Sequence, residues 1–290
     1  MQTENNLILD VQHFADSDYN AESSFRYKYF LIIAQQQMIS IVADSQINRI
    51  VSFKSFTNHS VSFLDMSYNE LNEFNEISKE FLPVYKSKTV IINDSDCILV
   101  PDTLINLVAL ETYYQVNNKI KENSQVLSNK LDFKHMVNMF NVNNETLKFI
   151  RFNMPSASII HQSLLFIKAC YISQNVHTET NIFIQVNDTS VDLLQFKNDQ
   201  VNFCNSFKFD NHTDIVYYLL AVAEELGISS NLNLIIYGNI DSNNSLFSLL
   251  EKYCKSMQLG KKNARFTYPN AFDKIPEHHY FTALNVLLCE

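Results

Sequence analysis

The sequence predicts a mixed α/β protein in which a βββαβα unit occurs twice. The first observation is a self-similar pattern, because residues 27–56 and 181–209 align without gaps at an offset of 154 positions. Tyr29 then meets Phe183 and Val42 meets Phe196, so matching positions keep their apolar character. The second observation is the order of elements, since each copy is followed by a helical stretch, a short apolar strand and a further helix. A repeat of this size indicates a duplicated supersecondary unit.

The repeated segment predicts an antiparallel meander of three strands. Residues 29–33 form a continuous apolar run, which is typical of a strand covered on both faces, whereas residues 38–42 and 47–53 alternate more clearly. In the second copy, we expect the three strands at 181–187, 190–196 and 200–208.

Helical spacing and end signals predict the helices. Leu71, Phe74, Ile77 and Phe81 form one apolar face over residues 69–82. In the second copy, Gly227 follows a helix over 213–226, at the position where a C-terminal cap needs a left-handed residue. The other expected elements are strands at 89–92, 98–100, 125–127, 136–140, 234–237 and 265–267, and helices at 103–116, 145–152, 162–173, 245–257 and 279–288.

Length and composition indicate two globular domains. A chain of 290 residues with 46% hydrophobic content is long enough for about two domains of roughly 100–200 residues each. We expect an N-terminal arm over residues 1–25, a first domain over 26–177 and a second domain over 178–290.

Charge and targeting signals restrict the partners and the compartment. The net charge of −9 repels a phosphate backbone, and the sequence has no basic cluster beyond Lys261-Lys262, so we expect no nucleic-acid partner. The N-terminus lacks a signal-peptide pattern, and no apolar run approaches the roughly 18 residues of a membrane span. The five cysteines are odd in number and form no CxxC pair, which is typical of reduced core residues. We therefore expect a cytoplasmic protein without membrane insertion.

The order of elements resembles the ribonuclease H-like unit, and two such units in tandem make the actin-like ATPase architecture. Particular residues also carry a resemblance to one family: Leu99-Val100-Pro101, Val126 to Leu131, Ser206-Phe207 leading to Asp214, Tyr217 to Leu220, Glu225-Leu226-Gly227 and Tyr237 to Ile240. With these residues, the span from Tyr27 to Glu290 resembles a family of uncharacterised proteins found mainly in Bacteroides-type bacteria, to which an actin-like fold is attributed. The resemblance implies a duplicated actin-like fold, with likeness to cytoplasmic actin-like components of pilus and secretion machines.

The resemblance also points to two turns for phosphate, those between the first two strands of each domain. The first turn, Gln35-Gln36-Gln37, has no glycine, hydroxyl or carboxylate to approach phosphate or hold a magnesium-bound water. The second turn, residues 187–190, has the polarity to hold a phosphate or a metal, but Asn-Asp-Thr-Ser is also an ordinary turn sequence. With only 3 glycines, the chain has neither a P-loop nor a GxGxxG motif.

A third turn would approach the adenosine, and it keeps one of the two glycines usual in actin-like ATPases. Gly238 also suits a strand-to-helix turn with positive φ, in which Asn243 or Ser245 caps the next helix. If a nucleotide binds, the resemblance places its contacts at Asn187, Asp188, Thr189, Ser190, Gly238 and Asn239.

The sequence contains candidate residues for two other chemistries. A ribonuclease H-like nuclease would use a triad of Asp188, Glu224 or Glu225, and Asp241, but the acidic charge balance opposes a nucleic-acid substrate. Glu277-His278-His279 resembles part of a metal site, yet adjacent side chains point apart on a strand and diverge by about 100° on a helix. We therefore expect a surface segment there and no metal, and the histidines at 135, 161 and 212 are isolated.

The sequence thus favours a non-catalytic protein-interaction or scaffold module on an actin-like fold with a degenerate nucleotide cleft. It would use a protein partner, no catalytic residues and no cofactor. The alternative is an ATP-binding protein or ATPase of the actin-like superfamily, in which Asp188 and Thr189 hold phosphate and metal and Gly238 lets the adenine approach the backbone.

Overall fold

The computed structural model describes residues 10–17, 19–74, 80–105, 109–173 and 180–289. They form a mixed α/β fold, as expected from the sequence. The strands are β1 Asp10–Ala15, β2 Lys28–Ala34, β3 Gln37–Asp44, β4 Arg49–Thr57, β5 Ser87–Asn93, β6 Cys97–Pro101, β7 Ser124–Leu131, β8 Met136–Asn143, β9 Ser158–His161, β10 Asn181–Val186, β11 Ser190–Lys197, β12 Gln200–Lys208, β13 Asn233–Gly238 and β14 Ser256–Leu259. The α-helices are α1 Tyr68–Glu73, α2 Leu110–Tyr114, α3 Asn144–Asn153, α4 Gln162–Ser173, α5 His212–Glu225, α6 Ser245–Leu250 and α7 Phe281–Leu284.

The first sheet has six strands in the order β1-β4-β3-β2-β5-β9. β2, β3 and β4 form the expected antiparallel meander, and β5 lies parallel to β2 on its other side. β1, within the expected N-terminal arm, pairs with β4 at the edge of this sheet. Residues 1–9 of the arm lie outside the described residues. β9 pairs in parallel with β5 and was not predicted from the sequence.

The second sheet repeats this arrangement in the order β12-β11-β10-β13-β14. The duplicated unit is therefore confirmed, but the alignment register is wrong by one residue in its first two strands. Ile33 pairs with Met38 in one hairpin, and Val186 pairs with Val191 in the other. Equivalent residues consequently lie 153 positions apart, as Ile33 and Val186 do.

Burial on both faces of the central strands explains this error. Tyr29 faces the core that α1 covers, and its true equivalent, Ile182, faces the core that α5 covers. Phe183, which the gap-free alignment matched to Tyr29, lies on the opposite face of its sheet. Since both faces are apolar, a shift of one residue keeps apolar residues matched while it exchanges the two faces.

An inserted sheet in the order β6-β8-β7 follows β5 in the chain. It packs with α2 around Tyr114, Val137 and Met139, which are buried. Its three strands contain the segments 98–100, 125–127 and 136–140, which were expected as strands, but the sequence did not predict that they form a separate sheet. The predicted helix over 103–116 is described as a 3-10 turn, Asp102–Leu104, and as α2, while residues 106–108 lie outside the described residues.

Side-chain caps fix the ends of several helices. Ser67 and Glu70 form a capping box at α1, which begins the helix expected over 69–82; Ile77 of that helix lies outside the described residues. After α5, Gly227 has a φ of +70° and its amide bonds the Glu224 carbonyl, while the next amide bonds Ala223. These two bonds form a Schellman motif, so the predicted glycine cap is confirmed.

Four expectations near the C-terminus were wrong. The helix expected over 245–257 ends at Leu250, because residues 256–259 alternate with period two and pair with β13 as β14. Its N-cap is Asn244, which lies between the two residues proposed. The terminal helix divides into α7 and a 3-10 helix, Val286–Cys289, and the strand expected over 265–267 forms an isolated bridge between Thr267 and Arg49.

The C-terminal segment, residues 272–288, covers the second face of the first sheet. Phe272 and Leu284 pack in one cluster with Phe30, Ile41 and other side chains of β2 to β5. α4 lies between the two sheets, since Leu165 joins this cluster and Phe166 joins the core of the second sheet. The domain boundaries at 25/26 and 177/178 stay a prediction. Within the described part of the chain, every helix falls short of the length and apolarity that a bilayer span requires.

His161, at the end of β9, is an uncharged core histidine. Its Nε2 lies 2.8 Å from the carbonyl oxygen of Asp94, and its Nδ1 lies 2.9 Å from Ser163 Oγ. A carbonyl oxygen only accepts, so Nε2 carries the proton and donates. Burial lowers the pKa of His161 to about 4.

This lowered pKa predicts a specific loss of stability in acid. In the unfolded chain, where the pKa of a histidine is about 6.5, residue 161 binds a proton as the pH falls to 5, whereas the native ring stays neutral. The free energy of unfolding therefore falls by about 2 kcal/mol between pH 7 and pH 5. Urea denaturation at the two pH values measures the fall in the wild type and in His161→Gln. We expect the variant to lack this part of the pH dependence, and an unchanged dependence would contradict the assignment.

Candidate functional site

A cleft of about 400 Å³ opens between the two sheets, at the carboxyl ends of β2 and β10. Its walls are the hairpin turns at 34–37 and 187–190, and Gln162 of α4 and Thr282 of α7 line it as well. All six residues expected at a nucleotide site line this cleft: Asn187, Asp188, Thr189, Ser190, Gly238 and Asn239. Their role as nucleotide contacts stays a prediction.

The two hairpin turns contact each other across the cleft. Thr189 Oγ1 donates a hydrogen bond to Gln35 Oε1. Backbone hydrogen bonds also fix the first turn. The amide of Phe63 donates to the Gln35 carbonyl oxygen at 2.7 Å, and the amide of Asn58 donates to the Gln36 carbonyl oxygen at 2.8 Å. Side chains thus join the two walls at the place where the resemblance puts the phosphates.

Asp188 follows β10 and is half-buried in the cleft wall. Burial raises the pKa of Asp188, while the nearby His59 and a hydrogen bond with Asn239 act in the opposite direction. Asn239 follows β13, so this hydrogen bond joins the ends of two neighbouring parallel strands. The pair closes one side of the cleft.

A buried carboxylate, Asp192, lies behind the second turn. Its Oδ2 accepts from Gln162 Nε2 at 2.8 Å and from Asn187 Nδ2 at 2.9 Å, and Gln185 Nε2 lies 3.4 Å away. Gln185 in turn accepts from Thr282 Oγ1. Burial raises the pKa of Asp192, and the neutral donors oppose this increase. A network of amides, and not a cation, therefore satisfies this carboxylate.

The charge of the cleft does not complement a polyphosphate. Among the described residues that line it, none is lysine or arginine. Asp94, which does line it, is paired with Lys121, whose Nζ lies 2.9 Å from Asp94 Oδ2. The lining offers amides, hydroxyls, carboxylates and the imidazoles of His59 and His279. The permanently charged side chains of lysine and arginine, which bind phosphate strongly, are absent from its described residues.

Gly238 ends β13 with a φ of +94°. It pairs with Val186 of β10, and a Cβ added there would lie 2.0 Å from the Val186 carbonyl oxygen. The absence of a side chain at Gly238 therefore allows the two strands to approach closely. This geometry fits the strand-to-helix turn with positive φ, which was the alternative to a contact with adenosine.

Three residues with metal-ligand side chains converge at the rim of the cleft. Ligand atoms of Asp241, His278 and His279 lie within 4.8 Å of one another. Residues 277–280 form a turn, in which adjacent side chains need not diverge as they do on a strand or helix. His278 is 4% exposed, so the expectation of a surface segment was wrong for this residue. Burial lowers the pKa of His279, and His278 adds to the effect.

The carboxylates considered for a nuclease are not gathered at one place. Asp188 lines the cleft, whereas Glu224 and Glu225 are exposed at the end of α5 and do not line it. Asp241 lies instead beside the two histidines.

The polar network around Asp192 was not predicted from the sequence. Gln162, Gln185, Asp192 and Thr282 come from four separate elements, so no local spacing joins them. One signal was present, because Gln185 and Asp192 interrupt otherwise apolar strands. A polar side chain in a strand buried on both faces must find a partner.

Two duplicated units that face each other across a cleft define the actin-like ATPase class of fold. A crystal structure from Bacteroides thetaiotaomicron VPI-5482, of a protein with this fold and unknown function, is similar with a TM-score of 0.78 and 20% identity, over 94% of this chain and 99% of that chain. The PilM–PilN type IV pilus biogenesis complex is similar with a TM-score of 0.50 and 12% identity, over 90% of this chain and 97% of that chain.

The chain belongs to the family described as protein of unknown function (DUF3822), whose sequence profile matches residues 16–257. Among curated proteins, no sequence matches this chain. The resemblance to an uncharacterised family with an actin-like fold is thus confirmed.

Gly238→Ala tests whether Gly238 is needed for the fold. We expect it to destabilise the protein by at least about 2 kcal/mol more than Gly227→Ala, because the new Cβ meets a backbone oxygen in addition to the strained φ. Gly227 is the matched control, since its φ is also positive and a Cβ there meets nothing within 4 Å. Urea denaturation compares the two variants, and equal losses would contradict the close-approach interpretation.

Proposed function

We propose that this chain is a non-catalytic protein-interaction module on an actin-like fold, with a cleft that does not hydrolyse ATP. The observation that carries the proposal is the hydrogen bond from Thr189 to Gln35, which joins the two turns. The first turn presents three glutamines and lacks a carboxylate to hold a metal-bound water. All five cysteines are free thiols, which supports a cytoplasmic setting.

The electrostatics of the cleft support a non-catalytic role. Phosphoryl transfer depends on cations or metal ions that neutralise charge developing on the phosphate oxygens. Among the lining residues that the structure describes, lysine and arginine are missing, and the neighbouring Lys121 is already paired with Asp94 and Asp96.

An exposed apolar surface supports a role in protein contacts. Phe25, Leu82 and Val84 are 63%, 70% and 76% exposed. We call these three residues the apolar edge. Ser24 Oγ donates to the Val84 carbonyl oxygen at 3.0 Å, which holds the two segments together. The apolar edge adjoins the start of β2, the opposite end from the cleft, and exposed apolar surface of this kind marks interaction sites. PilM, which has a similar fold, is in a complex with PilN.

A second candidate function is ATP binding. The cleft volume of about 400 Å³ and the convergence of Asp188, Ser190 and Asn239 favour it. In this alternative, the hydrogen bond between Thr189 and Gln35 would break, and the second turn would then hold phosphate and metal.

A thermal-shift titration with Mg-ATP separates the two candidates. A nucleotide present at 100 times its Kd stabilises the native state by about 2.7 kcal/mol. We expect no shift at millimolar Mg-ATP. A shift that disappears in Asp188→Ala, and persists in the exposed control Asp210→Ala, would show that nucleotide binds in the cleft and would favour the ATP-binding alternative.

Val84→Ser tests the apolar edge. Affinity capture with the tagged full chain from native cytosol should enrich a specific partner, and we expect Val84→Ser to weaken this capture about fivefold, the equivalent of about 1 kcal/mol. The control is Val116→Ser, since Val116 is 74% exposed elsewhere on the surface and undergoes the same substitution. Equal capture by the two variants would count against the apolar edge.

A further inference from the structure

We propose that Asp241, His278 and His279 form a binding site for a divalent transition metal of the zinc class at the rim of the cleft. This site is separate from the protein-interaction role, and each can fail without the other. Two imidazoles and one carboxylate are a donor set that suits zinc.

The distances between the donor atoms fit tetrahedral coordination. Asp241 Oδ1 lies 3.5 Å from His278 Nε2 and 3.3 Å from His279 Nε2. A tetrahedral ion with bonds of about 2.0–2.1 Å holds its ligands about 3.3–3.4 Å apart. An octahedral ion with the same bonds would hold neighbouring ligands at about 2.9 Å. The two separations from Asp241 thus match a tetrahedral zinc-like ion, and all three ligand atoms lie within 4.8 Å of one another.

The donor atoms are positioned by the fold. The amide of Gly238 donates to the His278 carbonyl oxygen at 2.9 Å, so the segment that carries Asp241 and the turn that carries the histidines are already joined. His279 Nε2 is fully buried and forms no hydrogen bond of ordinary geometry with any described group. A buried polar atom without such a bond is rare in native proteins, and a metal ion at this position would satisfy it.

The site has a route for the ion and room for a further ligand. The side chain of Asp241 is 59% exposed, so a hydrated ion reaches the site from solvent. His279 also lines the cleft. Three protein ligands leave the fourth tetrahedral position for water or for a group from a bound molecule.

Metal binding requires a change of tautomer and a rotation of the His278 ring. His278 Nε2 lies 2.6 Å from the Ile240 carbonyl oxygen and donates to it. To bind the ion through Nε2, the neutral ring must adopt the tautomer with its hydrogen on Nδ1. Since the Nε2 lone pair of that tautomer points toward the Ile240 carbonyl oxygen, the ring must also rotate to bind the ion, and the hydrogen bond to Ile240 is lost.

Metal titrations of the full chain test this proposal. After removal of metals by a chelator, calorimetry with zinc chloride should give one ion per chain, and Co²⁺ should give the intense visible absorption of a tetrahedral complex. We expect His279→Ala and Asp241→Asn to weaken zinc binding by about 100-fold or more. Loss of a residue that hydrogen-bonds a metal ligand costs up to about 100-fold in affinity, and loss of the ligand itself should cost at least as much. The control is His212→Ala, which removes an exposed histidine that bonds Ser245 and should leave zinc affinity unchanged.

Three results would overturn the proposal. They are a wild-type chain that takes up no stoichiometric zinc, a weak octahedral cobalt spectrum, and an Asp241→Asn variant with wild-type zinc affinity. Asp241 is exposed, so this conservative variant keeps the fold. Urea denaturation of the metal-free variants, with midpoints equal to the metal-free wild type, would show that their lost affinity reflects lost ligands.

Discussion

The structure depends on one packing requirement, which is that both faces of each central strand must be covered. Tyr29 and Phe30 are neighbours in β2, and they are buried in two different cores on opposite faces of the first sheet. Ile182 and Phe183 have the same relation in β10. Apolar burial is the main favourable contribution to folding, so every such face needs a partner layer. α1 and α5 cover the outer faces, while α4 and the C-terminal segment cover the inner ones.

The inner layers also determine where the cleft lies and what lines it. α4 and α7 lie between the sheets, and Phe281 stacks on Tyr237 with ring centroids 3.6 Å apart. Their first residues, including Gln162 and Thr282, reach the cleft and join the amide network around Asp192. Neutral donors satisfy a buried carboxylate without adding positive charge. The same packing that closes the core therefore gives this cleft hydrogen-bonding groups in place of the cations that phosphate chemistry requires.

The sequence predicts those features that depend on local patterns. The three-strand meander follows from a continuous apolar run and two segments that alternate more clearly, and the end of α5 follows from a glycine with a left-handed backbone. The register of the repeat could not be read from the sequence, because residues on both faces of β2 and β10 are apolar. In the same way, the turn at 187–190 was recognisable as a polar turn, whereas the contacts of Asp192 with Gln162, and of Asp241 with His278, join distant segments. Such pairs become visible when the tertiary structure is known.

The position of the C-terminal segment has a consequence for biosynthesis. Phe30 packs in one cluster with Phe272, which leaves the ribosome after more than 200 further residues have been added. At synthesis rates of roughly 5–20 residues per second, the inner face of the first sheet stays uncovered for on the order of 10–50 s. During this interval, a chaperone or the growing chain itself must shield an apolar sheet face. The cleft is completed when residues 272–288 dock, so a chain that has not yet reached them displays the first hairpin turn without a formed binding surface.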